Sequence, residues 1–239
     1  MVGISGFVMT VATVPFFHAL GIWSVALESH FAWTRTQLFI AFVLSRIEGG
    51  IMGPLEGYLT DRLGARRMVL IGLLILGAGF LLFSRVENLW MFYASFMIMA
   101  LGVGLGGWLP LMTVVNNWFI RRRSSAMGWA SVLSRLGALL LVPAIAWAVD
   151  PDADRLGWQT TAVIIGAIKL LSALGIPRFI RNRPEEYGQR PDGDEAPTPA
   201  PASSEQSPQS TASSQEVDFT ARQALRTPAF YCISFGHAF

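Results

Sequence analysis

Six apolar runs, each near the length needed to cross a bilayer, leave this chain few folds to choose from. A helix rises 1.5 Å per residue, so about twenty apolar residues span the ~30 Å hydrocarbon core. The runs fall at about 3–27, 37–59, 68–83, 89–118, 126–149 and 158–180. In lipid every backbone polar group must be satisfied within its own segment, which makes such runs helices. The composition agrees: 52% of the 239 residues are hydrophobic and 14% are charged, against ~25% charge in soluble domains. The expectation is an all-α membrane protein with six transmembrane helices. The third run is short, and the fourth is long enough to tilt or to bend at Pro110. Gly102, Gly104, Gly106 and Gly107 in that run permit close helix packing.

The same numbers exclude other classes. A net charge of +2 is too small for nucleic-acid binding, and the arginines lie in connectors rather than on one face. A single cysteine, Cys232, allows no intrachain disulfide and no cysteine metal cluster. No Walker loop, dinucleotide turn or metal-ligand cluster occurs, so neither cofactor nor metal is expected. Gly3-Ile4-Ser5-Gly6 carries the G-x-S-G of intramembrane serine proteases. The only intramembrane histidine, His18, follows that motif on the same helix, about 20 Å along the axis. That separation is too great for a nucleophile and its base, so no enzyme is expected. The first run lacks the charged start and short apolar stretch of a cleaved signal peptide.

The connectors set an orientation. Arg62, Arg66 and Arg67 follow the second run, Arg121, Arg122 and Arg123 the fourth, and Arg181 and Arg183 the sixth, with Arg178 at its end. The opposite connectors carry Arg35, Arg85 and Arg155 beside Glu28, Glu87, Asp150, Asp152 and Asp154. Arginine-rich loops resist translocation, so the first set and the N-terminus are expected in the cytoplasm. Residues 1–183 then form the bundle. Residues 184–218 are Pro, Ser, Ala, Gln, Thr and acid, a composition that cannot bury a core and reads as a disordered cytoplasmic linker. Residues 219–239 read as a short surface helix and the start of a seventh apolar run. About eleven apolar residues cannot cross a bilayer, so a fragment or truncated product is expected.

One connector carries more than topology. Gly57-Tyr58-Leu59-Thr60-Asp61-Arg62-Leu63-Gly64-Ala65-Arg66-Arg67 has room only for a tight turn. Gly64 can take positive φ and stop the helix before it. Asp61 sits at a helix end where the dipole disfavours an acid, so it needs a cationic partner or a neighbouring helix N-terminus. The spacing G-x-x-x-D-R-x-G-x-R-R resembles the loop between helices 2 and 3 of the major facilitator superfamily of secondary transporters. The resemblance implies that Gly57, Asp61, Arg62, Gly64, Arg66 and Arg67 help close the cytoplasmic face in the outward-facing state.

Further segments resemble monocarboxylate-transporter-like and oxalate/formate-antiporter-like members. They are Phe31-Ala32-Trp33-Thr34-Arg35-Thr36-Gln37, Asn117-Trp118-Phe119 with Arg121 to Arg123 and Ala126-Met127-Gly128, and Gly157-Trp158-Gln159. Arg183-Pro184-Glu185-Glu186-Tyr187-Gly188 and Thr227-Pro228-Ala229-Phe230 complete the set. The resemblance implies the N-terminal half of a twelve-helix transporter, built as two three-helix repeats, with a C-terminal half as its partner. It implies a small organic anion, a monocarboxylate or dicarboxylate, moved by proton symport or anion exchange in a plasma membrane, bacterial inner membrane included. A reading in another class is a six-helix non-transporting sensor or scaffold, acting as a homodimer.

Ionisable residues inside spans are costly and face a cavity or a partner. They are His18, Arg46, Glu48, Arg135 and Lys169. Arg46 shares a helical face with Gly49, Gly53 and Gly57, which let another helix approach. Arg135 shares one with Gly128, Ser131 and Ala138. The resemblance places helices 1, 2, 4 and 5 around the central cavity, where two guanidiniums would grip a carboxylate. Arg135, Arg46 and His18 are therefore candidate substrate ligands; the alternative for each arginine is an ion pair with an internal acid, and for His18 a packing role. Glu48 points about 200° round the helix from Arg46 and is a candidate proton carrier or ion-pair partner. Glu56 reads as part of the turn's charge network, and Lys169 as packed against protein. Asn116 and Asn117 read as caps or bridges. Trp23, Trp33, Trp90, Trp118 and Trp158 read as interfacial anchors, and Trp108 and Trp129 as deeper residues that line the cavity or pack.

Overall fold

The computed structural model describes residues 1–150, 155–182, 184, 187, 188, 190, 192 and 227. The expected linker and seventh run fall almost wholly outside those residues. Met1–Ala196 is one compact unit.

The first span is broken. Helix α1 (Val2–Thr13) leads into a π turn (Val14–His18) and then α2 (Leu20–Phe31), with a 40° bend between the halves. Pro15 causes the break, because it has no N–H to give the helix ladder. The second span is α3 (Arg35–Leu63). Thr34 and Gln37 form a capping box at its start. Gly64 ends it with φ +79° and passes the chain straight into α4 (Ala65–Phe83). The third span thus begins earlier than the apolar run predicts and reaches 19 residues. The fourth is α5 (Leu89–Gly106) followed by α6 (Trp108–Trp118). Its irregularity falls at Gly107, three residues before Pro110, where the missing proline N–H loosens the turn. Helix α7 (Arg123–Val149) is the fifth span, and α8 (Gly157–Gly175) with the 3-10 turn Ile176–Arg178 is the sixth. Five helices are long and apolar enough to cross a membrane, or six with the bent pair counted as one span. The chain is an all-α, multi-pass membrane protein.

Small residues set the packing. A Cβ on Gly106 would lie 3.0 Å from the Cα of Gly72, and one on Gly102 would lie 2.6 Å from the backbone nitrogen of Leu76. Helix α4 therefore touches α5 backbone to backbone. On its other side Gly77 and Gly166 of α8 face each other, each within 3.1 Å of the other's carbonyl oxygen if given a Cβ. An aromatic cluster fills the end of the bundle away from the arginine-rich turns. Phe31 and Trp33 stack at 4.4 Å, and Trp158 meets Phe83 at 5.7 Å.

Two tryptophans depart from the anchor role. Trp23 and Trp158 are buried in the core. Trp23 is held there because its indole N–H donates to the carbonyl of Pro15 at 2.8 Å, a group the break leaves available. Trp90 is exposed, as an anchor should be, and so are Trp108 and Trp129, which lie deeper along their spans.

Candidate functional site

Helix α3 packs one side and leaves the other open. Leu38, Ala41, Ser45, Glu56 and Thr60 are buried, while Phe39, Val43, Ile47, Ile51 and Leu55 are exposed. Arg46 lies toward the open side. Its guanidinium sits over the rings of Phe42 at 4.9 Å and Phe17 at 5.6 Å. Phe17 belongs to the π turn at the break in the first span, and His18 is the next residue of that turn. His18 is itself exposed. The expected close approach of a helix along Gly49, Gly53 and Gly57 is not found within this unit. A Cβ on any of the three meets nothing within 4 Å, and no residue of α3 between Ser45 and Glu56 is buried.

Arg135 lies on the exposed side of α7. A Cβ on Gly128, which shares its face, also meets nothing within 4 Å. Among the described residues neither Arg46 nor Arg135 pairs with an acid, and no hydrogen bond joins the two arginines.

The acids of α3 behave differently from each other. Glu48 is half-buried and Glu56 is buried, and each has an Oε1 with no hydrogen-bond partner among the described residues. Glu56 fits against Gly104 of α5, where a side chain would collide with its carboxyl. It is not part of the charge network at the turn: α3 turns it inward, and its backbone carbonyl accepts from the Thr60 hydroxyl at 2.7 Å. Asn116 keeps a buried oxygen with no partner among the described residues, whereas Asn117 bridges by donating to the Asn182 carbonyl at 3.1 Å. Lys169 is buried against protein, as the small residues on its face predict.

The arginine-rich end is laced by the segment that follows the sixth span. Asn182 accepts from the Arg66 backbone N–H at 3.0 Å and sits where a side chain on Gly64 would have to go. The Trp118 indole donates to the Arg181 carbonyl at 2.9 Å. Near the end of α3 Arg62 donates to the Tyr58 hydroxyl one helical turn earlier at 3.0 Å. Asp61 is exposed and makes no ion pair among the described residues. The helix end does not demand a partner there, because an exposed carboxylate is open to solvation. A pocket of about 360 Å³ opens between Asp61, Thr60, Thr113, Asn117 and Asn182.

Asp192 ties down the other basic turn. Its carboxylate accepts from the backbone N–H groups of Arg121 (2.8 Å), Ile120 (3.1 Å) and Arg122 (3.3 Å). The Arg121 amide, with the other two amides and the Arg121 side chain, holds its pKa below the usual Asp range against a smaller desolvation effect. A depressed folded pKa stabilises the clamp above the unfolded value and loses that effect as pH falls through the folded one. The clamp therefore persists at neutral pH and releases only below the ordinary carboxylate range. Asp192→Asn is expected to speed hydrogen exchange of the 120–122 amides at pH 7, and acidification is expected to do the same to the unaltered protein.

The sequence profile of the Major Facilitator Superfamily matches residues 3–239. The chain belongs to that superfamily. It is 28% identical over 202 residues to an agnestins efflux protein of Paecilomyces divaricatus, covering 80% of this chain and 43% of that one. It is 25% identical over 203 residues to the oxalate:formate antiporter of Oxalobacter formigenes, covering 82% and 43%. With monocarboxylate transporter 7 of Homo sapiens it shares 28% identity over 194 residues, covering 75% and 34%. This superfamily member thus spans less than half the length of these relatives.

Proposed function

We propose that this bundle is one half of a secondary transporter that moves a small organic anion by alternating access. The observation that carries the reading is the pair of span arginines, Arg46 and Arg135, exposed and without an acid partner among the described residues. A cation within a span is costly unless something answers its charge. A carboxylate entering from the open side would do so, gripped by a guanidinium fork. The likeness to an oxalate:formate antiporter and a monocarboxylate transporter supports that anion class.

On this proposal Arg135 and Arg46 bind the anion with His18 beside them, and Glu48 carries a coupling proton. The 57–67 turn gates the cytoplasmic face, the N-terminus is cytoplasmic, and the membrane is the plasma membrane. A C-terminal half joined through the 184–218 linker covers the open sides of α3 and α7. The protein is a carrier and not an enzyme. The test is uptake of labelled mono- and dicarboxylates by the complete gene product in vesicles. Saturable uptake driven by an inward proton gradient, or by a preloaded anion, is expected. Uptake confined to cations or neutral solutes would reject the reading.

A further inference from the structure

We infer that Lys169 is a positioning residue that stands in for the backbone N–H missing at Pro15 and so fixes the break in the first span. In an unbroken helix the Val11 carbonyl would accept from the N–H of residue 15. Pro15 has none. Lys169, reaching across from α8, donates its Nζ to that carbonyl, and also to the Ala12 carbonyl at 3.4 Å. The residue is 1% exposed and its Nζ lies 5.3 Å from the centre of the Phe80 ring.

Two more carbonyls at the break are answered as well. Val14 accepts from the Ala19 N–H at 3.2 Å, and Pro15 from the Trp23 indole at 2.8 Å. Lys169 is the member of this set that comes from a different span, so it ties the sixth span to the bend. No carboxylate pairs with it among the described residues. Its partners are two carbonyls and a ring, which is the environment of a donor to backbone and not of a counter-ion. The bend it holds presents Phe17 to Arg46 at 5.6 Å and sets the place of His18. The link to transport rests on the proposed function; the link to the bend does not.

The experiment is a double-mutant cycle in the complete protein, read by thermal melting in detergent and by uptake. Lys169→Met keeps the buried stem and removes the donor. It is expected to lower Tm by about 5 °C or more. Pro15→Ala restores the N–H, so Lys169→Met in that background is expected to cost less than half as much. Should the single variant not fold, the double variant is expected to recover folded protein. An unchanged Tm, a loss undiminished by Pro15→Ala, or a double variant that also fails to fold would each overturn the inference. Uptake is expected to show a raised KM with kcat held within about twofold, and Lys169→Arg is expected to restore part of the affinity. Melting needs no substrate, so a failure of the carboxylate reading would leave the Tm cycle intact and is told apart from a failure of this one.

Discussion

Arg135→Ala in the complete transporter is expected to weaken apparent affinity for its carboxylate substrate by ~10–100-fold at a normal surface level. A hydrogen bond to a charged group contributes about 1.5–3 kcal/mol net, and each 1.4 kcal/mol is about tenfold in affinity. Arg135 lies on the exposed side of α7 with no acid to compete for it among the described residues. Removing it therefore leaves no orphaned carboxylate among those residues, and the fold should stand. Arg135→Lys keeps the charge and loses the planar fork, so an intermediate loss is expected. Arg46→Ala is a less clean experiment, because its guanidinium also covers Phe17 and Phe42. Competition with unlabelled substrate gives the affinities. An affinity for Arg135→Ala equal to that of the unaltered protein would remove Arg135 from the site.

The spans were legible because hydrocarbon leaves the backbone one solution, and apolar length alone reports it. The 57–67 turn was legible for a local reason: Gly64 does adopt positive φ where two spans meet. The failures share a cause. Whether a residue on a helix meets protein depends on which face its neighbours occupy, and that is not local. The glycines at 49, 53 and 57 read as a packed seam, yet nothing within this unit comes within 4 Å of a Cβ placed on any of them. Glu56 read as part of a surface network, yet α3 turns it in against Gly104. Trp23 sits near a span end like an anchor, but its partner is a carbonyl released by a proline eight residues earlier. Asp192 gave no signal, because its three amide donors come from a turn some seventy residues before it. The clue to Lys169 was present: Pro15 frees a carbonyl in lipid, and a buried lysine with no acid on its face is a donor available to meet it.

Gly72→Leu is expected to abolish the monodisperse folded protein, and Gly72→Ala to cost about 1–3 kcal/mol, the usual range for forcing atoms into a packed core. The atoms in the way are backbone atoms of Gly106 and Gly102. A flexible side chain could swing aside, but a neighbouring helix has to move as a body. Moving α5 away from α4 would also open the contacts of Gly102 with Leu76 and of Gly79 with Met99, which lie along the same seam. With little hydrophobic drive between helices in lipid, close packing of this kind carries much of the association, so the loss is not made good elsewhere. Gly21→Ala is the control. Nothing lies within 4 Å of a Cβ there, and alanine is the better helix former by up to ~1 kcal/mol. It is expected to melt at or slightly above the temperature of the unaltered protein. Size-exclusion profiles and melting curves in one detergent compare the variants, and a Gly72→Leu protein that melts with the control would show that α4 and α5 do not meet backbone to backbone.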